Sequence, residues 1–158
     1  MEPSAFDCVV ANGVELFGDR WSMLILRDAH LGVRRFDEFR RDLGIARNVL
    51  ADRLDRLVDA GILERRRYVE HPPRDEYPLT DKGKDLLDVL LALWRWGDKW
   101  EPVEHPRTLV HRTCGKATHS VATCAHCGEP LLRRDLTIEP LPEVVLRRLE
   151  AMESAALP

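Results

Sequence analysis

The sequence lacks any apolar run long enough to cross a bilayer, which argues against a membrane-spanning helix. Its first residues, MEPSAFD, hold no basic stretch followed by an apolar one, so we expect no secretory leader and a cytoplasmic protein. Glycine-rich phosphate loops, Ser-His-Asp sets and paired carboxylate sites are also missing. We therefore expect a protein that is not an enzyme.

Cysteine is scarce, with four residues in 158: Cys8, Cys114, Cys124 and Cys127. In a reducing cytoplasm such cysteines favour metal binding or redox chemistry over structural disulfides. The 44% hydrophobic content is enough for a packed core, and the 32% charged content is typical of a folded domain with a polar surface.

Positive charge is in short supply overall but concentrated in one place. The net charge is −3, yet residues 34–74 hold eleven arginines against eight acidic residues. Residues 1–33 and 75–158 each sum to −3. Phosphate contacts need local positive charge rather than a basic total, so this distribution is compatible with a nucleic-acid partner.

The basic segment is patterned as two short helices and a hairpin. Phe36, Phe39 and Leu43 predict one helix, with Asp37 as its N-cap and Gly44 at its end. A second helix is predicted over 46–60, with Leu50, Leu54 and Leu57 on its core face. Strands are predicted over 62–69 and 76–79, on either side of a turn at 71–74 that holds two prolines.

Further helices are predicted on both sides of this segment. Asp7 can cap a helix over 8–17, Asp19 can cap the next, and Thr80 can cap a long helix reaching about Trp100. That last helix is apolar around too much of its circumference to have one wet face. We expect its extra apolar surface to meet a second subunit.

These elements predict a mainly α fold with a small β-wing: a winged helix-turn-helix over 7–105. A zinc-ribbon-like segment is expected over 106–140, followed by a C-terminal helix and tail over 141–158, with the helix itself over 141–152. The alternative for the whole chain is a helical domain whose charged hairpin binds another protein.

In a winged helix-turn-helix the helix over 46–60 would enter the major groove and the wing over 65–77 would touch flanking DNA. Asp52, Asp55 and Asp59 lie on or near its outward side, so only its first turns can approach bases closely. The predicted DNA-contacting residues are Arg35, Arg47, Asn48, Ala51, Arg53, Arg56, Arg67 and Arg74.

At this point the chain resembles the HxlR-type winged helix-turn-helix regulators. The resemblance rests on CVVANGVELFGDRWSMLILRDAHLGVRRFDEFRRDLG, IARNVLADRLDRLVDAGILERRR and PPRDEYPLTDKGKDLL. It implies a transcription factor, more often a repressor, that dimerises through helices 8–17 and 81–100 and binds a pseudo-palindromic operator. The family usually has a small hydroxyl residue at the start of the recognition helix, where this chain has Ala46-Arg47 and Ala51. Phosphate contacts from hydroxyl groups are therefore not expected here, and DNA contacts from this turn are expected mainly from Arg47 and Asn48.

The tail carries a second chemistry. His111 and Cys114 are three residues apart and precede a glycine, and Cys124 and Cys127 repeat that spacing. Two such knuckles can build a closed, structural Cys₃His zinc site. His119 or His126 could replace His111, although neither has the knuckle spacing. The alternative is a small hairpin with reduced thiols.

Four other roles remain open. Cys8 begins a helix, where a thiol pKa is lowered, so a redox or electrophile sensor is one hypothesis and a small buried residue at the dimer seam is the other. A thiol–disulfide oxidoreductase would use Cys124 and Cys127, but the surrounding pattern is not thioredoxin-like. The tail could also dock a protein partner. A cavity between the dimer helices and the wing domain could admit a small effector, but a fifth helix rich in Trp and Leu is more often plain core and interface.

Overall fold

The computed structural model describes residues 8–104, 107–139 and 146–147. In these ranges the chain is mainly helical, with two small antiparallel hairpins, as a winged helix-turn-helix requires. The helices are α1 (Val9–Phe17), α2 (Arg20–His30), α3 (Phe36–Leu43), α4 (Arg47–Asp59), α5 (Asp81–Lys84), α6 (Leu87–Trp100) and a 3₁₀ turn at Arg133–Asp135.

The first hairpin is the wing and the second belongs to the tail. Their strands are β1 (Arg66–Val69), β2 (Arg74–Glu76), β3 (Val110–His111) and β4 (Lys116–Ala117). In the wing, Arg66 lies opposite Glu76 and Arg67 opposite Asp75, with an irregularity before Val69 pairs with Arg74. This register places acidic side chains of one strand across from arginines of the other.

The core lies where α2, α3 and α4 meet the base of the wing. α4 packs on α1, α2 and α3, and its leucines are fully buried, as their spacing predicts. The buried apolar side chains are Ile25, Leu26, Ala29, Phe39, Ile45, Leu50, Leu54, Leu57, Ile62, Leu63 and Tyr77.

The predicted caps are partly right. Asp19 accepts hydrogen bonds from the backbone N–H groups of Trp21 (3.0 Å) and Ser22 (3.2 Å) and begins α2 as expected. Asp37 is not the N-cap of α3, because the helix begins at Phe36 and its N-cap is Arg35, two residues before Asp37. Glu38, the third residue of α3, reaches back to this N-cap: its carboxylate accepts a hydrogen bond from the Arg35 N–H at 3.1 Å. The Arg35 amide, which has no partner within the helix, is satisfied in this way.

The wing strands are shorter than predicted. The first was expected over 62–69 and the second over 76–79, whereas regular pairing covers β1 and β2 only. Beyond Glu76 the chain turns to another partner: the Tyr77 N–H donates to the Arg34 carbonyl at 2.8 Å, and Pro78 has no N–H. A single bridge between Leu63 and Leu79 continues the ladder.

The predicted long fifth helix is two helices. Thr80 caps it as expected, accepting from the Gly83 N–H at 3.1 Å. After α5 the Leu86 N–H donates to the Gly83 carbonyl at 3.2 Å, a tighter i→i−3 bond that interrupts the α-helical ladder. Gly83 packs so closely on the base of the wing that a Cβ there would meet the Ile62 carbonyl oxygen at 2.2 Å.

By compactness the chain divides into two units, Met1–Ser120 and Val121–Pro158. The domain boundaries predicted at 105 and 140 stay predictions. The Asp7 cap lies outside the described residues, and so does the predicted last helix, apart from residues 146–147, which are helical. Among the described residues, no helix combines the length and apolarity that a bilayer crossing needs.

Candidate nucleic-acid interface

The turn between α3 and α4 sets which face of α4 is exposed. Gly44 takes a left-handed conformation (φ 62°) that ends α3, and Ile45 is buried in the turn. Because Leu50, Leu54 and Leu57 face the core, the opposite face of α4 is left free.

The first turns of α4 present polar groups on that free face. Arg47 and Asn48 are exposed and Ala51 is half-buried. The Arg47 guanidinium lies 5.3 Å from the centre of the Phe36 ring, so an aromatic of α3 supports it. Arg47 and Asn48 are the side-chain types that pair with guanine and adenine in the major groove.

A hollow of about 590 Å³, the wing hollow, separates these first turns from the wing. Arg35, Arg47, Ala51 and Arg74 line it, and the Arg35 guanidinium lies 4.8 Å from the centre of the Tyr68 ring. Among the described residues, none of these three guanidinium groups has a carboxylate within ion-pair distance. Asp37, Glu38 and Asp75 also line the hollow, and Asp75 is paired with Arg67. The three arginines keep their donors free for a phosphate backbone, while the nearby carboxylates offset part of their charge.

The second half of α4 is different, because its arginines are held by acids. Arg53 Nε lies 3.0 Å from Asp19 Oδ1, and Arg53 also pairs with Asp52. Arg56 Nε lies 3.2 Å from Asp52 Oδ2, and Asp55 pairs with an arginine at the base of the wing. These pairs reduce the charge that this half offers to DNA.

Asp19 joins the start of α2 to α4. Burial acts to raise the pKa of Asp19, but hydrogen bonds from Ser22 and the ion pair with Arg53 outweigh it, so the pKa lies below its ordinary value. Ser22 Oγ donates to Asp19 Oδ2 at 2.5 Å. The carboxylate is thus both helix cap and anchor for the recognition helix.

The wing arginines follow the same division. Arg66 Nε donates to Glu76 Oε1 at 2.6 Å, and Arg67 Nε donates to Asp75 Oδ1 at 2.8 Å. The hydrogen bond from Arg67 and its charge hold the pKa of Asp75 below its ordinary value. Arg74, where β2 begins, has no such partner among the described residues.

The structure brings together four of the eight predicted DNA-contacting residues, Arg35, Arg47, Ala51 and Arg74, around the wing hollow. Asn48 is exposed on the same first turn of α4, and Arg53, Arg56 and Arg67 lie in ion pairs. Sequence reasoning missed the supporting rings of Phe36 and Tyr68. No signal along the chain links them to their arginines, whereas the cross-strand partners follow from the hairpin register.

An unpartnered apolar stripe runs along α6. Val89, Leu93, Trp96 and Trp100 are 43%, 51%, 55% and 60% exposed, and their spacing of four, three and four residues puts them on one face. On α1, Val9, Val10 and Val14 are also exposed. Two helices therefore leave large apolar side chains uncovered in the single chain.

Cys8 occupies the N-cap position of α1 and is exposed. Hydrogen bonds from the backbone N–H groups of Ala11 and Val10 outweigh a small desolvation effect and lower the pKa of the Cys8 thiol. The thiol is exposed in the single chain, so its burial at a dimer seam stays a prediction about the dimer.

The first tail knuckle lies in the Met1–Ser120 unit, at the tip of the β3–β4 hairpin. His111 Nδ1 and Cys114 Sγ are 3.4 Å apart. The Gly115 N–H donates to the His111 carbonyl at 2.8 Å, and Gly115 has φ 69°. This is the tight turn that the spacing predicts, and both side chains point to one side of it.

The second knuckle lies in the Val121–Pro158 unit. The Gly128 N–H donates to the Cys124 carbonyl at 2.9 Å, with φ 76° at Gly128. Hydrogen bonds from Cys127 and His126 lower the pKa of Cys124. Among the described residues, no group of three or more His, Cys, Asp or Glu side chains is arranged to hold a metal ion, so the zinc site stays a prediction.

Residues 16–105 match the HxlR-like helix-turn-helix family, and the chain belongs to that family. It is 44% identical over 135 residues to Rv3095 of Mycobacterium tuberculosis, which is named an HTH-type transcriptional regulator. That match covers 84% of this chain and 85% of the relative. The winged helix-turn-helix expected from the motifs is thus confirmed, and the chain is a DNA-binding transcriptional regulator.

Solved structures give the same result. The crystal structure of PA1607, described as a candidate transcription factor, is 38% identical with a TM-score of 0.77, covering 86% of this chain and 96% of that one. The redox regulator HypR in its oxidised form is 32% identical with a TM-score of 0.55, covering 61% of this chain and all of HypR.

Proposed function

We propose that this regulator is a dimeric repressor that reads a pseudo-palindromic operator with the first turns of α4 and clamps the flanking DNA with the wing. The observation that carries the proposal is the wing hollow. It gathers Arg35, Arg47 and Arg74 from three different elements, and none of the three is in an ion pair among the described residues, although acidic side chains also line the hollow.

Each element has a distinct part in this arrangement. Arg47 and Asn48 would contact base edges, because they stand on the exposed first turn of α4. Arg74 would contact the backbone or minor groove from the tip of the wing, and Arg35 would reach a phosphate from the start of α3. Arg53, Arg56 and Arg67 keep their predicted DNA contacts in a weaker form, since each must share its guanidinium with an acid.

Dimerisation would cover the apolar stripe of α6 and the exposed valines of α1. The wing hollow of one chain offers few phosphate contacts, so two copies of the chain are needed for tight and selective binding. Two recognition helices related by a two-fold axis read a palindrome, and a dimer bound across a promoter blocks it.

The experiment is a fluorescence anisotropy titration of the full chain with duplexes from its own promoter region, at several salt concentrations. We expect affinity to fall steeply with salt and the complex to hold two chains per operator by light scattering. Trp96→Glu, on the stripe, should yield monomers with weak operator binding. Affinity independent of salt, or a monomer bound tightly to the operator, would contradict the proposal.

We also propose that the tail binds one structural Zn²⁺ through His111, Cys114, Cys124 and Cys127. Support comes from the local geometry of each knuckle, which turns two ligands to the same side in the manner of zinc knuckles. Purified protein should then hold about one zinc per chain, and Cys124→Ser should lose it while Cys8→Ser keeps it. Metal-free wild-type protein with four reactive thiols after zinc reconstitution would contradict this.

A second candidate function is thiol-based sensing through Cys8. It is favoured by the exposed thiol with its lowered pKa, and the structural likeness to the redox regulator HypR is consistent with it. Hypochlorite or quinone treatment should then release wild-type protein from its operator but leave Cys8→Ser bound. Equal responses of the two proteins would assign the effect to the tail cysteines or to none.

A further inference from the structure

Two adjacent hollows lie where α6 meets the segment after it, both within the Met1–Ser120 unit. The basic hollow, of about 610 Å³, is lined by Arg95 and Lys99, and the apolar hollow, of about 440 Å³, is lined by Leu31 and Val103. Three residues line both: Trp94, Asp98 and Arg107. Both volumes are in the range of small-molecule pockets.

The hollows lie away from the apolar stripe of α6. With 100° per residue, Trp94 and Asp98 point to the side of the helix opposite Val89, Leu93, Trp96 and Trp100. A second subunit on the stripe would therefore leave the hollows open.

The basic hollow carries cations without matching acids. Among the described residues, Arg95, Lys99 and Arg107 form no ion pair, although Lys99 Nζ lies 4.3 Å from the centre of the Trp100 ring. Asp98 is the one acidic side chain of the described residues that lines this hollow. The excess charge favours an anion, while Asp98 and, in the apolar hollow, Glu101 disfavour a ligand with a second negative charge.

We propose that these hollows bind a small amphipathic monocarboxylate. Its apolar body would lie between Leu31, Trp94 and Val103, and its carboxylate would meet Arg95 and Arg107. An indole provides a large apolar surface for a flat ring, and guanidinium groups bind carboxylates by charge-assisted hydrogen bonds. The shared residues Trp94, Asp98 and Arg107 place the two hollows side by side, so one ligand with an apolar and an anionic end would occupy both.

The site offers a route to regulation, a consequence that rests on the proposed dimer. α6 carries the ligand on one side and the dimer stripe on the other, so a ligand that prefers one position of α6 changes the spacing of the two recognition helices. Ligand binding and operator binding would then be coupled.

The test is a calorimetric titration of the full chain with 2-naphthoate, without DNA. We expect one site per chain and about tenfold weaker binding by Arg107→Gln and by Arg95→Gln. Arg112→Gln, an exposed arginine that lines neither hollow, should bind like the wild type. The neutral 2-naphthamide should bind at least about tenfold more weakly, and inorganic phosphate should not compete.

Several results would overturn the proposal: no heat of binding, equal binding of the amide, competition by phosphate, or unchanged affinity in Arg107→Gln. Circular dichroism of each variant shows whether the helices are intact. The site and the DNA proposal fail separately. If the protein binds naphthoate but not its operator, only the DNA proposal is refuted. If it binds its operator but not naphthoate, only the ligand site is refuted.

Discussion

The two halves of α4 are made from the same residue types but differ in what holds their charges. In the first half, the Arg47 guanidinium lies against the Phe36 ring and forms no ion pair among the described residues. In the second half, Arg53 and Arg56 both pair with Asp52. The position of an arginine on a recognition helix therefore says less about DNA binding than the partner its guanidinium already has.

The difference has an energetic basis. When an arginine that is in no ion pair contacts a phosphate, condensed counterions are released from the DNA, and this release favours binding. An arginine in an ion pair must share its donors or expose a carboxylate to the negative backbone, which offsets part of that gain. We thus expect the first half to supply base contacts and the second half to fix the helix to the core.

The anchoring of the second half can be broken at Gly83. Gly83→Ala puts a methyl group against the Ile62 carbonyl, just after the end of α4, and should lower the free energy of unfolding by about 2–3 kcal/mol. Gly97→Ala is the matched control in α6, where a Cβ meets nothing within 4 Å, and should raise stability by up to about 1 kcal/mol. Urea denaturation measures both, and equal effects of the two substitutions would show that the contact at Ile62 yields freely.

The same comparison applies in the wing. Arg74→Ala should weaken binding to all duplexes about tenfold and reduce the slope of log affinity against log salt by about one, because an unpaired cation is lost. Arg67→Ala removes a cation already bound to Asp75 and should change the slope much less. Anisotropy at several salt concentrations decides, and a larger slope change for Arg67→Ala would reverse our assignment.

Asp19→Asn tests the anchor of α4 with the smallest expected effect. Asparagine still caps α2, and the Ser22 hydroxyl can turn to accept from the new amide, so the main loss is the charge facing Arg53, about 1 kcal/mol of stability near neutral pH. Because the folded pKa of Asp19 is lowered, its contribution is present above the ordinary aspartate pKa and is lost as pH falls through the lowered value.

Wild type and Asp19→Asn should thus converge in urea denaturation at acid pH. Asp37→Asn is the control, because that exposed carboxylate forms no ion pair within the part of the chain that the structure describes. A stability difference that persists at acid pH would point to a packing change rather than to the ion pair.

Much of this could be read from local patterns. The spacing of Leu50, Leu54 and Leu57 predicted the core face of α4, and Asp19 and Thr80 were recognisable caps. Local patterns could not show that Tyr77 donates to Arg34 and thereby interrupts the regular wing pairing after Glu76, because that contact joins distant parts of the chain.

The same limit applies to the candidate site. Arginines are visible in the sequence, but one partner of Arg53, Asp19, is 34 residues away. Charge counts therefore do not reveal which arginines are already in ion pairs. The break after α5 was also hidden, since the apolar pattern of residues 86–100 runs on while the close contact at Gly83 bends the chain.

The most direct test of the central claim is the ratio of operator to non-specific affinity for Arg47→Ala and Arg56→Ala, measured side by side on a duplex selected from a random pool. We predict that Arg47→Ala lowers this ratio by about thirtyfold, corresponding to one lost base contact of about 2 kcal/mol, while Arg56→Ala stays within about twofold of wild type. An unchanged ratio for Arg47→Ala together with a large loss for Arg56→Ala would contradict the account.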